Sequence, residues 1–243
     1  MGIKKLKEHS PIPLYFQLQE ILRQKIMDGE YPEGVIIPSE SELQKTYSVS
    51  RITVRNAIEG LVFEDLLIRK QGVGTIVAPR RVVEDFSSLK SFTEKMSSQG
   101  VSFHTKVIAV RWIGAPERIA QHLKIEPEER ILNVTRLRYV DEKPIALFSS
   151  FLPAGLGVRE DEDFSKSMYW LLEHEHGCSI AGGEKIIEAA TAQEYEAELL
   201  EIRPGDCVLF IRNTTLDQGG VPLEYAEGIY RSDRYKYVVK LKR

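Results

Sequence analysis

Ser50 is followed by Val54, Ala57, Ile58 and Leu61, the i, i+3, i+4, i+7 spacing of a helix with one buried face. Its neighbours constrain what it can pack against. Pro38-Ser39-Glu40-Ser41-Glu42 opens a shorter helix with Ser39 as N-cap and Glu42 three residues on, a capping box, and this helix runs to about Tyr47. Before it, after Pro11 and Pro13, come Leu14, Leu18, Ile21, Leu22 and Ile26, one apolar stripe that Asp28-Gly29 terminates. After it, residues 67–78 (LIRKQGVGTIVA) spell two short strands around a glycine-containing turn. Two helices, a short turn, a third helix and a hairpin describe a winged helix-turn-helix over residues 1–78.

With the apolar stripe of the third helix turned inward, Ile52, Arg55, Asn56 and Glu59 face outward, flanked by Arg51 and Thr53. An arginine there can grip guanine bidentately, Ile52 can meet a thymine methyl, and Ser50 and Thr53 can donate to phosphate at a helix N-terminus. Spacing alone leaves open a three-helix scaffold with a solvated polar face.

The chain has 33 Lys+Arg against 36 Asp+Glu, a formal charge of −3 and a pI near 6.0, which argues against a nucleic-acid binder. The total is uneven. Residues 1–81 carry 12 basic and 10 acidic side chains, net +2, and residues 82–243 carry 21 and 26, net −5. No run of about 18 apolar residues exists for a membrane span. The basic start MGIKKLKEHSP leads into no apolar segment, and two cysteines, Cys178 and Cys207, fit a reducing compartment. A cytoplasmic protein without membrane contact is expected.

Ala78-Pro79-Arg80-Arg81 and the polar stretch to Asp85 place a linker at residues 79–85, with a second domain over 86–243. There, strand-like runs at Thr105–Ile113, Arg130–Val140, Ile145–Leu152, Lys185–Ala190, Val208–Leu216 and Leu223–Tyr230 mix with short helices near Phe92–Gln99, Pro116–Leu123, Met168–His176 and Gln193–Leu200. This is an α+β domain around a mostly antiparallel sheet.

Residues 13–78 resemble the DNA-binding domain of the GntR family of bacterial transcription regulators. The resemblance rests on Pro13-Leu14-Tyr15, Ile37 through Leu43, Ser50 through Ala57 and Gly72-Val73-Gly74-Thr75. It implies a DNA-facing set of Ser39, Ser50, Arg51, Ile52, Thr53, Arg55 and Asn56, with Lys70, Gln71, Gly72 and Gly74 from the wing. Ser41 and Val73 stand where the family usually has arginine and a basic or polar residue, so fewer phosphate contacts and a shallower salt dependence are expected. The second domain resembles the HutC branch, whose effector domain has a chorismate-lyase-like fold. The marks are LKSFT at 89–93, Thr135 through Arg138, SKSMY at 165–169, Glu224-Tyr225-Ala226 and Tyr230 through Tyr235.

Arg136 and Arg138 are i, i+2 on a strand, so both leave the same face. Buried there, two guanidinium groups require an anion between them; spacing alone leaves open a solvated face with acidic partners. Ser91, Thr93, Ser165 and Ser167, near helix starts, can complete an anion cradle. Glu224 can accept from sugar hydroxyls or an amine, and Tyr230 can stack or donate. The resemblance implies that Arg136 and Arg138 line an effector pocket, with the segments holding Lys90, Phe92 and Tyr169 closest in look to amino-sugar-phosphate sensors. The implied protein is a homodimer on a palindromic operator, a repressor released or modulated by a phosphorylated sugar or amino sugar.

Enzyme readings are weaker. His174, His176 and Cys178 alternate along a helix and diverge, and Gly182-Gly183 and Gly219-Gly220 read as turns. No cofactor or metal is expected. The alternatives are a DNA-binding factor without small-molecule control, and a residual lyase-type activity of the effector domain.

Overall fold

The computed structural model describes residues 6, 10–79, 81–85, 91–99 and 101–239. The chain divides into two compact units between Arg81 and Val82.

In the first unit, α1 (Leu14–Met27) starts directly after Pro13, α2 (Glu40–Tyr47) follows the capping box of Ser39 and Glu42, and α3 (Arg51–Phe63) follows Ser50, whose hydroxyl accepts from the Thr53 backbone N–H. The stripes meet as their spacing requires. Leu18 and Leu22 of α1, Leu43 of α2, and Val54, Ala57, Ile58 and Leu61 of α3 form one core with Leu67 and Val77. A polar clasp closes one side of it. Buried Gln19 donates to Glu64 at 2.6 Å, and Arg23 grips the same carboxylate, tying α1 to the end of α3. The hairpin of β1 (Leu67–Lys70) and β2 (Gly74–Val77) is antiparallel, with Ile36 bridging to Ile76 on its other edge. Gly74 has φ +130°, and a Cβ there would come within 3.3 Å of Ile36, so the tip of the hairpin admits only glycine without strain.

The second unit is built on a six-stranded sheet, antiparallel throughout, of β4 (Phe103–Gly114), β5 (Arg130–Val140), β6 (Lys143–Pro153), β7 (Ile180–Thr191), β8 (Cys207–Asp217) and β9 (Pro222–Arg231), in the order β4-β5-β6-β9-β8-β7. Asp141 and Glu142, both with positive φ, make the two-residue β5–β6 turn whose twist suits a hairpin. One face carries α4 (Phe92–Gln99) and α6 (Met168–His174), through Phe92 and Met96 on Ala146, Ile211 and Tyr230, and through Met168, Leu171 and Leu172 on Leu132, Val134 and Leu152. The other face carries α5 (Glu117–Leu123) on Ile131, Phe151 and Tyr225, and α7 (Glu194–Leu200) through Leu200 on Leu137 and Leu147.

Two expectations change. The stretch 79–85 is not linker to its end, because Val82–Asp85 forms β3, which pairs in parallel with β10 (Tyr235–Val238). Its partner lies at the far end of the chain, so nothing local marks it as a strand. Gly182 and Gly183 are not turn residues. They extend β7 past its expected start, opposite Leu216 and Thr215, beyond a bulge after Ile180.

Leu61 is fully buried at the centre of the first core. Leu61→Ala should cost about 2–5 kcal/mol and raise native-state hydrogen exchange of α1 and α3 amides at least about thirtyfold; unchanged exchange would contradict this packing.

Candidate functional site

Two groups of side chains stand out, one on each unit. The first is exposed. Along α3, Val54, Ala57, Ile58 and Leu61 take the core, which leaves Arg51, Ile52, Arg55, Asn56 and Glu59 in solvent, Ile52 being 62% exposed. No acidic residue occupies the first turn of α3, so its positive end is not neutralised by its own side chains. Ser50 and Thr53 share a hydrogen bond of 2.8 Å between their hydroxyls, and the Ser39 hydroxyl donates to Glu42 at 2.6 Å. At the wing, Lys70, Gln71, Gly72, Val73 and Gly74 are all exposed, and positive φ at Gly72 and Gly74 turns bare backbone outward.

Two residues outside the expected set, Glu40 and Arg69, join this surface. Arg69 of β1 lies 3.5 Å from Glu40 and 3.6 Å from Glu59, while Arg51 lies 3.7 Å from Glu40 and Arg55 donates to Glu59 at 3.0 Å. The wing is thereby tied to α2 and α3. The i, i+4 spacing of Arg55 and Glu59 was a visible signal for one pair; the partners of Arg69 come from tertiary structure.

The second group is buried. Successive rungs across the α4/α6 face of the sheet can be read from the register. Arg138 neighbours Ala146 and Tyr230; Arg136 neighbours Phe148 and Gly228; Val134 neighbours Ser150, Ala226 and Asn213; Thr215 lies opposite Glu224. Apolar packing under α4 fills one end and packing under α6 the other, which leaves a polar band between them. Arg136 is 2% and Arg138 5% exposed. Arg136 donates from Nη2 to Ser150 at 3.0 Å, yet among the described residues its Nε and Nη1 have no hydrogen-bond partner. Arg138 donates from Nη1 to Thr105 at 3.2 Å, its Nε has none, and its guanidinium lies 4.6 Å from the Phe92 ring centroid and 5.5 Å from that of Phe148.

Such burial is costly for a cation. It holds the Arg136 guanidinium below its ordinary value against the pull of Glu224, and burial with the Arg136 charge beside it lowers Arg138 to about 9. Glu224, 4% exposed, accepts a long 3.5 Å bond from Thr215, whose hydroxyl also meets Tyr169 at 3.1 Å, with Asn213 donating to Thr215. The band thus offers unused N–H donors at one end and a carboxylate at the other. Gly228 makes room for its aromatic wall, since a Cβ there would come within 2.7 Å of Tyr230 and 3.1 Å of Phe148.

Ser91 and Ser167 are buried, each accepting from a backbone N–H three residues on, Glu94 and Trp170, at the starts of α4 and α6; Phe92 is buried and Thr93 half-buried. Tyr230 is buried edge-to-face against Phe148. Ser165 is not brought to this group. It is exposed and its hydroxyl is taken by Asp163 at 2.5 Å, a local loop bond that the residue type alone does not reveal. Lys90 lies outside the described residues. Thr105, Phe148 and Ser150 reach the arginines, and Thr215 with Asn213 bonded to it reaches Glu224, only through strand register, which no local sequence signal reveals.

His174, His176 and Cys178 go separate ways: His176 to Glu162 at 3.0 Å, His174 to the Trp170 carbonyl, and the Cys178 thiol toward the His176 carbonyl. Among the described residues no three metal-ligating side chains converge.

Residues 14–77 match the bacterial regulatory proteins of the gntR family, and residues 98–236 match the UTRA domain. The chain is 35% identical over 234 residues to the HTH-type transcriptional repressor NagR of Bacillus subtilis (strain 168), covering 96% of each chain. It is 33% identical to the mannosyl-D-glycerate transport/metabolism system repressor MngR of Escherichia coli (strain K12), over 93% of this chain and 95% of the relative. The crystal structure of PhnF from Mycobacterium smegmatis shares its fold, with a TM-score of 0.76 at 24% identity over 95% of this chain and 99% of that one. Both relatives are named as repressors.

A buried guanidinium with unused donors destabilises the fold, here through desolvation and the neighbouring Arg136 charge. Arg138→Met, which keeps contact with both aromatic rings, should therefore raise stability in urea by about 1–4 kcal/mol near neutral pH. A loss of several kcal/mol would mean the arginine is already satisfied within the fold.

Proposed function

From a chain that belongs to the gntR family of bacterial regulatory proteins, in its HutC branch with a UTRA domain, we propose a repressor that a phosphorylated sugar or amino sugar removes from its operator. The family-level role, DNA-binding regulation of transcription, is the premise. The finer reading adds a homodimer on a palindromic operator in the cytoplasm, with α3 of each protomer in the major groove and the wing in or beside the minor groove. The exposed set on α3 has the chemistry for this. Arg51 and Arg55 suit guanine, Ile52 suits a thymine methyl, and a helix N-terminus without acidic residues suits phosphate.

The observation that carries the effector reading is the buried Arg136–Arg138 pair with N–H donors left over. A phosphoryl group supplies what the pair lacks, two negative charges and several acceptor oxygens in a geometry that guanidinium forks match. The hydroxyls of Ser91 and Ser167 border the same face, and Thr93 belongs to the same turn as Phe92, which touches Arg138. Glu224, with Tyr169, Asn213 and Thr215 around it, suits hydroxyl or ammonium donors on a sugar ring. A relative named as the repressor of a mannosyl-D-glycerate system supports control by a carbohydrate-derived molecule.

For the ligand to act, it must bind the off-operator state more tightly than the bound state. Arg136→Ala should bind operator DNA like the wild type yet no longer be released by the effector, whereas Arg55→Ala should lose operator binding and keep effector binding. In a thermal-shift screen of sugar phosphates, a true effector at 100 times its dissociation constant adds about 2.7 kcal/mol. Normal release of Arg136→Ala would overturn the effector assignment.

A further inference from the structure

Glu59 puts a negative charge on the helix face that should meet DNA. It stands one turn beyond Arg55 on α3, half exposed, and accepts from Arg55 Nε at 3.0 Å, with Arg69 Nη1 of the wing 3.6 Å away. Exposed pairs of this kind add little to folding stability, so the fold does not require it. Against phosphate it is a hindrance, since an arginine that turns to the backbone leaves a carboxylate beside another anion.

The geometry of the guanidinium gives Glu59 a use. Its five N–H donors lie in one plane in fixed directions. A carboxylate bound at Nε fixes that plane and leaves the two terminal nitrogens, whose donors match the O6 and N7 acceptors of guanine. Arg69, held between Glu40 at 3.5 Å and Glu59, braces the carboxylate from the wing side. Three arginines and two glutamates alternate across this surface, which keeps its net positive charge low.

We propose that Glu59 is a specificity-determining residue of the operator-reading helix: it aims Arg55 at a guanine edge and disfavours its use on phosphate. This rests on the reading that α3 enters the major groove. The effect is to trade general DNA affinity for discrimination, because the pair fixes the direction of the terminal nitrogens and a phosphate to which Arg55 must turn is reached only by breaking it.

The test begins by selecting an operator from a random duplex library with the full-length wild-type protein. Affinities are then measured for the selected duplex, its single-base variants and a scrambled duplex, using wild type, E59Q, E59A and R55A. The wild type should disfavour replacement of one guanine by about tenfold or more, and R55A should lose that preference. E59A should keep its melting temperature, lose most of the same preference and bind the scrambled duplex about threefold or more tighter, with a steeper salt dependence. E59Q retains an oxygen acceptor for Nε, so it should keep the guanine preference while its scrambled-duplex binding still tightens, and it carries the test if E59A melts lower. E59Q and E59A that match the wild type on every duplex, while R55A loses the preference, would overturn the role of Glu59. An R55A protein with full guanine discrimination would overturn the placement of α3 itself.

Discussion

Two guanidinium groups within one layer of side chains, almost fully removed from water, set the terms for the second unit. The sheet places Arg136 and Arg138 on one face by the alternation of a strand, and the helices on that face cover them. Each finds one hydroxyl, at Ser150 and Thr105, and each keeps donors that none of the described residues accepts. Hydrophobic packing under α4 and α6 offsets the cost of this burial, and the polar band remains as the part of the core that is not self-sufficient. An anion is the simplest completion. The proposed effector therefore relieves a strain that folding has already imposed, and the opposite end of the band, at Glu224, limits which anions suit it.

The first unit manages charge differently. Its core is an ordinary meeting of three apolar stripes, and its exposed face carries arginines that are nearly all shared with carboxylates. A surface of this kind gains little from a general field. The acidic total of the chain, −3, is compatible with DNA binding because the negative excess lies in residues 82–243. What the first unit offers DNA is direction: a helix with an uncompensated N-terminus, a short row of side chains and a glycine-rich wing tip.

Much of this was legible in the sequence, for identifiable reasons. Helices α1, α2 and α3 follow from local apolar spacing and from serine caps, signals that need no tertiary context. The strand carrying Arg136 and Arg138 was legible with its bounds, and so was the shared face of the pair. The rest depends on contacts distant in sequence. That Val82–Asp85 is a strand is decided by Tyr235–Val238, and that Gly182-Gly183 continues β7 is decided by β8. The ring of hydroxyls and amides around the arginines was hidden for the same cause, since Ser150, Thr215 and Asn213 acquire meaning only when β6 and β8 are in register. Ser165 shows the reverse error, where a suitable residue type in a suitable segment is captured by a neighbour, Asp163.

In the proposed mechanism, occupation of the arginine pair and occupation of the operator oppose each other. The test is calorimetric titration of a sugar phosphate found to bind in the thermal-shift screen, into the free protein and into the protein saturated with its selected operator duplex. Binding to both is expected, weaker in the operator complex by about 5- to 150-fold, and by the same factor as the sugar phosphate weakens operator affinity. Equal affinity for the two forms, or binding that survives removal of both Arg136 and Arg138, would contradict it.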